Sequence, residues 1–188
     1  MAEKLVIGIS GASGAPIAIA LLKELRRSGI GTHLVISRGG ELTIDQETGY
    51  GLEEVKRLAG TVYDNQDLGA SLASGSFKTL GMAVVPCSMK TLAGIVSGYS
   101  DSLLLRAADV TLKERRPLVL MPRECPLSTL HLRNLTAVSE LGAVVVPPVP
   151  AWYDHPRTME DVNRQIAARI VRMLPLGRQL PWEWRGLS

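Results

Sequence analysis

The sequence predicts an α/β protein of three αβα layers around a mostly parallel, doubly wound sheet, and three observations carry that prediction. A short apolar run, Leu5–Ile9, enters a glycine-rich turn, a helix-spaced segment and a second apolar run, His33–Ile36. Further short apolar runs, Met82–Val85 and Leu118–Met121, each stop abruptly at proline-containing polar turns. Helix-period segments separate these runs, the alternation expected of parallel strands joined by crossover helices. The pattern is Rossmann-like.

Taken in order, Ile17–Arg27 repeats apolar residues at Ile17, Leu21, Leu22 and Leu25 and stops at Ser28–Gly29. Glu41–Ala59 reads as a helix broken at Gly49–Gly51, and 63–76 as a polar connection. Helices are expected over 89–96 and 101–114, a buried strand over Leu118–Met121, a helix over 128–141 and a last strand over 143–146. Thr158 and Asp161 open the terminal helix, 158–173, as an imperfect capping box. With no repeat or linker in view, residues 1–174 are expected to form a single domain. The tail 175–188, with Trp182 and Trp184, is expected to pack on a neighbouring subunit.

The 188 residues suffice for one well-buried core. A net charge of +3 and 4% aromatic content argue against a nucleic-acid surface or a base-stacking platform. Cys87 and Cys125 make neither a disulfide framework nor, with the scattered His33, His131 and His155, a metal site. Neither a signal peptide nor a membrane-length apolar run is visible, so a cytoplasmic protein is expected.

Chemistry is expected at the strand ends. In Gly8-Ile9-Ser10-Gly11-Ala12-Ser13-Gly14 the glycines permit close backbone approach, and the following helix N-terminus favours an anion, with Ser13 adding a hydroxyl. The spacing also fits a dinucleotide pattern, but the second strand ends in Ser37–Arg38 rather than an acid, and no reductase Tyr-x-x-x-Lys pair follows. No complete G-x-S-x-G elbow surrounds Ser10 or Ser13 either. A phosphate-bearing cofactor of another kind is left.

Ser88 and Thr91 stand as N-cap and N3 of the next helix, beside Met89 and Lys90. Arg106 and Lys113, two helical turns apart, share a face with Asp109 between them, which is equally what a salt-bridged surface would show. Arg123–Glu124, held between Pro122 and Pro126 just past a buried strand, suits a binding cation and a general acid or base. Tyr153 follows the last strand, and Arg169 sits on the terminal helix.

GISGASGAP, PCSMKTLAGI, RAADVTLKERRPLVLMPRE, the HLxN at His131–Asn134 and the PPxPAWY ending at Tyr153 together resemble the UbiX-type flavin prenyltransferase family, whose homologues include components of phenolic-acid decarboxylases. The resemblance implies a flavoprotein-like fold and a homododecamer. It implies that the prenyl group of dimethylallyl phosphate is joined to N5 and C6 of reduced FMN, without a metal, for a partner aromatic-acid decarboxylase. Position by position, Gly11, Ala12, Ser13, Ser37, Ser88, Met89, Lys90, Thr91 and Arg123 match FMN-binding residues. Arg106, Lys113, Glu124, Tyr153 and Arg169 match those around the prenyl phosphate, with Glu124, Lys113, Ser13 and Arg106 in catalytic roles.

Two other readings stand beside it: an FMN-binding accessory subunit of a hydroxyaryl-acid decarboxylase without transferase activity, and a cysteine-decarboxylating flavoprotein. The latter needs an early catalytic histidine, and no histidine precedes His33. The segment Pro16–Ile17, Trp152 and Cys125 depart from the commonest family pattern, which leaves the downstream pathway open, and the sequence does not choose between a monophosphate and a pyrophosphate donor.

Overall fold

The computed structural model describes residues 4–176. All six strands run parallel in the order β3-β2-β1-β4-β5-β6, with β1 Lys4–Ile9, β2 Gly31–Ile36, β3 Thr61–Tyr63, β4 Gly81–Cys87, β5 Leu118–Pro122 and β6 Val144–Val145. The helices are α1 Ala15–Arg27, α2 Arg38–Glu47, α3 Leu52–Lys56, α4 Met89–Ser97, α5 Leu103–Lys113, α6 Thr129–Glu140 and α7 Met159–Arg172.

The strand pleat sorts the core into two layers. Leu5, Ile7, Ile9, Leu34, Ile36, Ala83, Val85, Val119 and Met121 point to the face covered by α1 and α7. Val6, Val35, Met82, Val84, Leu118 and Leu120 point to the other face, with residues of α4 and α5. This period-2 division buries the central strands on both sides, which is why they read as unbroken apolar runs. Each such Leu, Ile or Val contributes roughly 1.5–3 kcal/mol through burial.

The 63–76 connection differs from expectation at its start, because Thr61–Tyr63 adds an edge strand beside β2. Only three residues long, and with Thr61 and Val62 exposed, it has no room to show a period. The broken helix resolves into α2 and α3, separated at Thr48–Gly51. Thr158 caps α7 by accepting from the Asp161 N–H at 3.1 Å, while the Asp161 carboxylate accepts from the Thr158 N–H at 3.0 Å.

The chain reverses direction across the sheet between β1 and β4, where connections depart to opposite sides. In a doubly wound sheet the crevice outside the carboxyl ends of those two strands is the natural ligand position. No helix among the described residues is long and apolar enough to cross a membrane. The Trp-containing tail lies outside the described residues from 177 onward.

Candidate active site

At that switch point lies a pocket of about 380 Å³, lined by the turns that leave β1, β2, β3 and β4. They bring Gly11, Ser37, Arg38 and Gly39 together with Asn65, Ser88, Lys90 and Thr91. Gly11 and Gly39 touch so closely that a Cβ on Gly11 would meet the Gly39 Cα at 2.9 Å. Only glycine backbones allow these two turns to meet.

Each turn is fastened before any ligand arrives. Ser37 accepts from the Gly40 N–H at 3.1 Å and caps α2, and Ser88 accepts from the Thr91 N–H at 3.2 Å and caps α4. Asn65 lies 39 residues from Leu104 yet caps α5, its Oδ1 accepting from the Leu104 N–H and its carbonyl from the Leu103 N–H. Ser10 joins the first and fourth turns. Its fully buried hydroxyl donates to the Pro86 carbonyl at 3.0 Å and accepts from the Ser88 N–H at 2.8 Å. Sequence reasoning considered Ser10 only as a nucleophile, because nothing local reveals a bond across 78 residues.

The first helix N-terminus does not await a phosphate. Gly14 and Ala15 donate their N–H groups to Glu47 Oε2 at 2.8 and 3.0 Å. The anion favoured there is therefore the chain's own carboxylate, with two charge-assisted hydrogen bonds. Glu47 carried no signal in the sequence, since 33 residues separate it from Gly14. Ser13, half-buried beside it, makes no hydrogen bond among the described residues. Ala12 is buried, and Met89 is half-buried at the first position of α4.

The pocket suits FMN in size and donor chemistry. Its volume is in the range of small-ligand sites. The N-terminus of α4 offers unpaired backbone donors, and Lys90 and Arg38 supply positive charge beside it. Polar turn atoms surround it and the Leu104 and Leu105 side chains give it an apolar wall.

The charged stretch 106–124 separates in space. Arg123 donates its backbone N–H to the Cys87 carbonyl at 3.3 Å, so the turn after β5 lies beside the Ser88 turn. Glu124 is exposed and accepts from the Cys125 N–H at 3.1 Å. Lys113, by contrast, ends α5 before the chain enters β5, so it belongs to the opposite, amino-terminal end of the strands. Five strand residues, about 16 Å, intervene. Lys113 and Glu124 therefore stand apart within one chain, because a helix following a parallel strand must run back to the strand starts.

Lys113 pairs with Glu114 at 2.7 Å, which holds the Glu114 carboxyl below its usual range. Arg106 donates to the Ala73 carbonyl at 3.1 Å and pairs with Asp109, as a salt-bridged face would. Arg116, unremarked in the sequence, donates to the Gly75 and Phe77 carbonyls and so helps hold the same loop.

Tyr153 and Arg169 line a second pocket, about 330 Å³, between the segment after β6 and α7. Gln165, also missed by sequence reasoning, holds that segment. It accepts from the Ala151 N–H at 2.8 Å and donates to the Ala151 carbonyl and to Asp154 Oδ2. Tyr153 is 62% exposed and Arg169 is exposed. Of the cysteines, Cys87 is buried and its thiol is pushed up to about 12 by that burial, which suits packing rather than nucleophilic attack. Among the described residues no cluster of His, Cys, Asp or Glu could hold a metal ion.

The profile of the family described as Flavoprotein matches residues 1–173. The flavin prenyltransferase UbiX of Escherichia coli strain K12 is 50% identical over 187 residues, covering 98% of this chain and 99% of that protein. The chain belongs to the UbiX-type flavin prenyltransferases. Two solved structures of this family superpose closely. A dodecameric FMN-dependent UbiX-like decarboxylase from Escherichia coli O157:H7 gives a TM-score of 0.93 at 50% identity, over 98% of this chain and 100% of that one. AnUbiX, solved with FMN and dimethylallyl pyrophosphate, gives 0.92 at 47% identity, over 97% and 100%.

Proposed function

We propose that the chain transfers a dimethylallyl group from a dimethylallyl phosphate to N5 and C6 of reduced FMN, yielding prenylated FMN. The observation carrying this reading is the pocket in which Gly11, Ser37, Ser88, Lys90 and Thr91 converge at the switch point, in a chain half identical to a named flavin prenyltransferase over nearly its whole length. Gly11, Ala12, Ser13, Ser37, Ser88, Met89, Lys90, Thr91 and Arg123 would hold the FMN. The reduced flavin supplies the nucleophilic nitrogen and carbon that receive the prenyl unit.

The chain's own residues do the rest. Tyr153 and Arg169 bind the donor's phosphate, and positive charge stabilises the departing dianion as the allylic C–O bond breaks. Glu124 gives a proton to the leaving phosphate, and the same carboxylate or the released phosphate takes up the proton lost on ring closure. Lys113 helps hold the departing phosphate in a neighbouring copy's site, since it cannot reach Glu124 of its own chain. Arg106, tied to Ala73 and Asp109, contributes by holding the 71–76 loop.

A homo-oligomer follows from the same geometry, and the dodecamer seen in the relative is the assembly we assign. Exposed Leu130, Trp152, Tyr153 and Met159 offer apolar surface for neighbouring copies to cover. The recipient of the product would be a cytoplasmic decarboxylase that depends on prenylated FMN and acts on aromatic acids. The chain is read as a single FMN-binding domain over 1–174.

The test is anaerobic incubation with reduced FMN and dimethylallyl phosphate, followed by mass spectrometry of the extracted flavin. The expected flavin is heavier by one prenyl unit. Recovery of unmodified FMN alone would overturn the transferase reading and leave an accessory flavin-binding subunit.

A further inference from the structure

Asn65, in the turn after β3, spends only half of its side-chain amide on the fold. Its Oδ1 accepts from the Leu104 N–H at 3.1 Å, and its backbone carbonyl accepts from the Leu103 N–H at 2.8 Å. A backbone N–H can be met only by the amide oxygen, so these bonds fix which way the side chain is turned. Asp64 steadies the turn itself. Its carboxylate accepts from the Gln66 N–H at 2.9 Å and its carbonyl from the Asp67 N–H at 3.1 Å. The Nδ2 group of Asn65, with two hydrogens to donate, meets no partner among the described residues. Asn65 is half-buried and, with Gln66, lines the pocket at the switch point.

The residues assigned to FMN lie on the turns and helix starts after β1, β2, β4 and β5, and β3 contributes none. The β3 turn nevertheless walls the same pocket, together with Ser102, Leu104 and Leu105 at the start of α5. An amide donor there matches the rest of the wall. Arg38, Lys90 and the first N–H groups of α4 outnumber the one acid, Asp101. Such a wall favours a ligand rich in acceptors, and FMN offers a phosphate and two pyrimidine carbonyls. A donor already locked in place loses little rotamer freedom when it binds, so little of its hydrogen bond is offset.

We propose that Asn65 is a cofactor-positioning residue: its oxygen holds the start of α5 while its NH2 group donates to an acceptor of bound FMN. The inference rests on the flavin reading of this pocket and adds to it a residue of the β3 turn. One side chain then ties the cofactor to α5, whose Arg106 returns to the same connection through the Ala73 carbonyl at 3.1 Å. A purely structural Asn65 would need only its oxygen.

Asn65→Asp separates the two roles in the intact protein, because it keeps the accepting oxygen and replaces the donor with a second, charged acceptor. A carboxylate at a helix start is favourable, so the melting temperature of the flavin-free protein should stay within about 1 °C of the wild type. FMN should bind at least about tenfold more weakly by fluorescence titration. Asn65→Ala loses both groups and should also lower the melting temperature, by roughly 3 °C. Asn65→Ser keeps an accepting hydroxyl without the amide or a new charge, and should weaken FMN about fivefold. Wild-type affinity in Asn65→Asp, or in Asn65→Ser where the Asp variant does not fold, would overturn the proposal and leave Asn65 as a cap alone. Failure of FMN to bind the wild type would overturn both the proposal and the flavin reading. If the wild type binds FMN but forms no prenylated flavin, only the transferase reading fails, and the same affinities still decide the role of Asn65.

Discussion

The pocket between the turns after β1 and β4 and the pocket under α7 differ in how their side chains are held. In the first, Ser10, Ser37, Ser88 and Asn65 spend their polar groups on backbone partners, and Gly11 and Gly39 lock two turns together. In the second, Arg169 and Arg172 are exposed, and Gln165 ties down the segment that carries Tyr153. A rigid flavin cradle can be completed within one chain, because strand ends already converge there. Charged groups that must desolvate a phosphate gain strength only when other surfaces close over them. On the proposed reading, one half of the site is a property of the fold and the other a property of the assembly.

The exposed half should respond most strongly to substitution. Glu124→Gln should retain FMN yet lose turnover by on the order of 100-fold or more, measured as prenylated flavin formed per minute. Unchanged turnover would remove Glu124 from proton transfer. On the rigid side, Gly11→Ala must push the Gly39 backbone away, and FMN affinity should drop roughly tenfold or more by fluorescence titration. Ser10→Ala strips a buried bond from two turns at once. It should weaken FMN by about tenfold, with Ser10→Thr restoring most of the loss. Equal affinities across the three proteins would show that the cradle does not depend on this tie.

Smaller effects probe rigidity without touching ligands. With its thiol near 12, Cys87 should stay unalkylated by iodoacetamide at about pH 8 until the protein unfolds, as read by peptide mass mapping. Rapid labelling in the native state would mean the cradle opens readily. The slightest change concerns α7. Hydrogen bonds from Thr158, from Arg164 and from the Arg157 N–H hold the Asp161 carboxyl at about 2, below its ordinary 3.8. A depressed folded value stabilises above the ordinary one and is lost as pH falls through about 2. Thermal melts in that acid window should decline less steeply for Asp161→Asn than for the wild type.

Much of the layout was legible because it is written in local patterns. The apolar runs and the caps Ser37, Ser88 and Thr158 announce themselves within a few positions of their partners, and Gly11 and Arg123 through the composition of the turns they occupy. The edge strand Thr61–Tyr63 was not, being too short and exposed for a period. Nor were Ser10, Glu47, Asn65 and Gln165 as positioning residues, since their bonds cross from 14 to 78 residues of chain.

A doubly wound αβα protein with its chemistry at the strand ends could be read from the chain alone, because hydrophobic period and turn chemistry act over short distances. The family's motifs named the charged residues in the same way. Which of those residues share one chain's site became visible only in three dimensions. Parallel topology sends α5 back to the strand starts, so Lys113 and Glu124 lie at opposite ends of the strands however close they stand in the sequence.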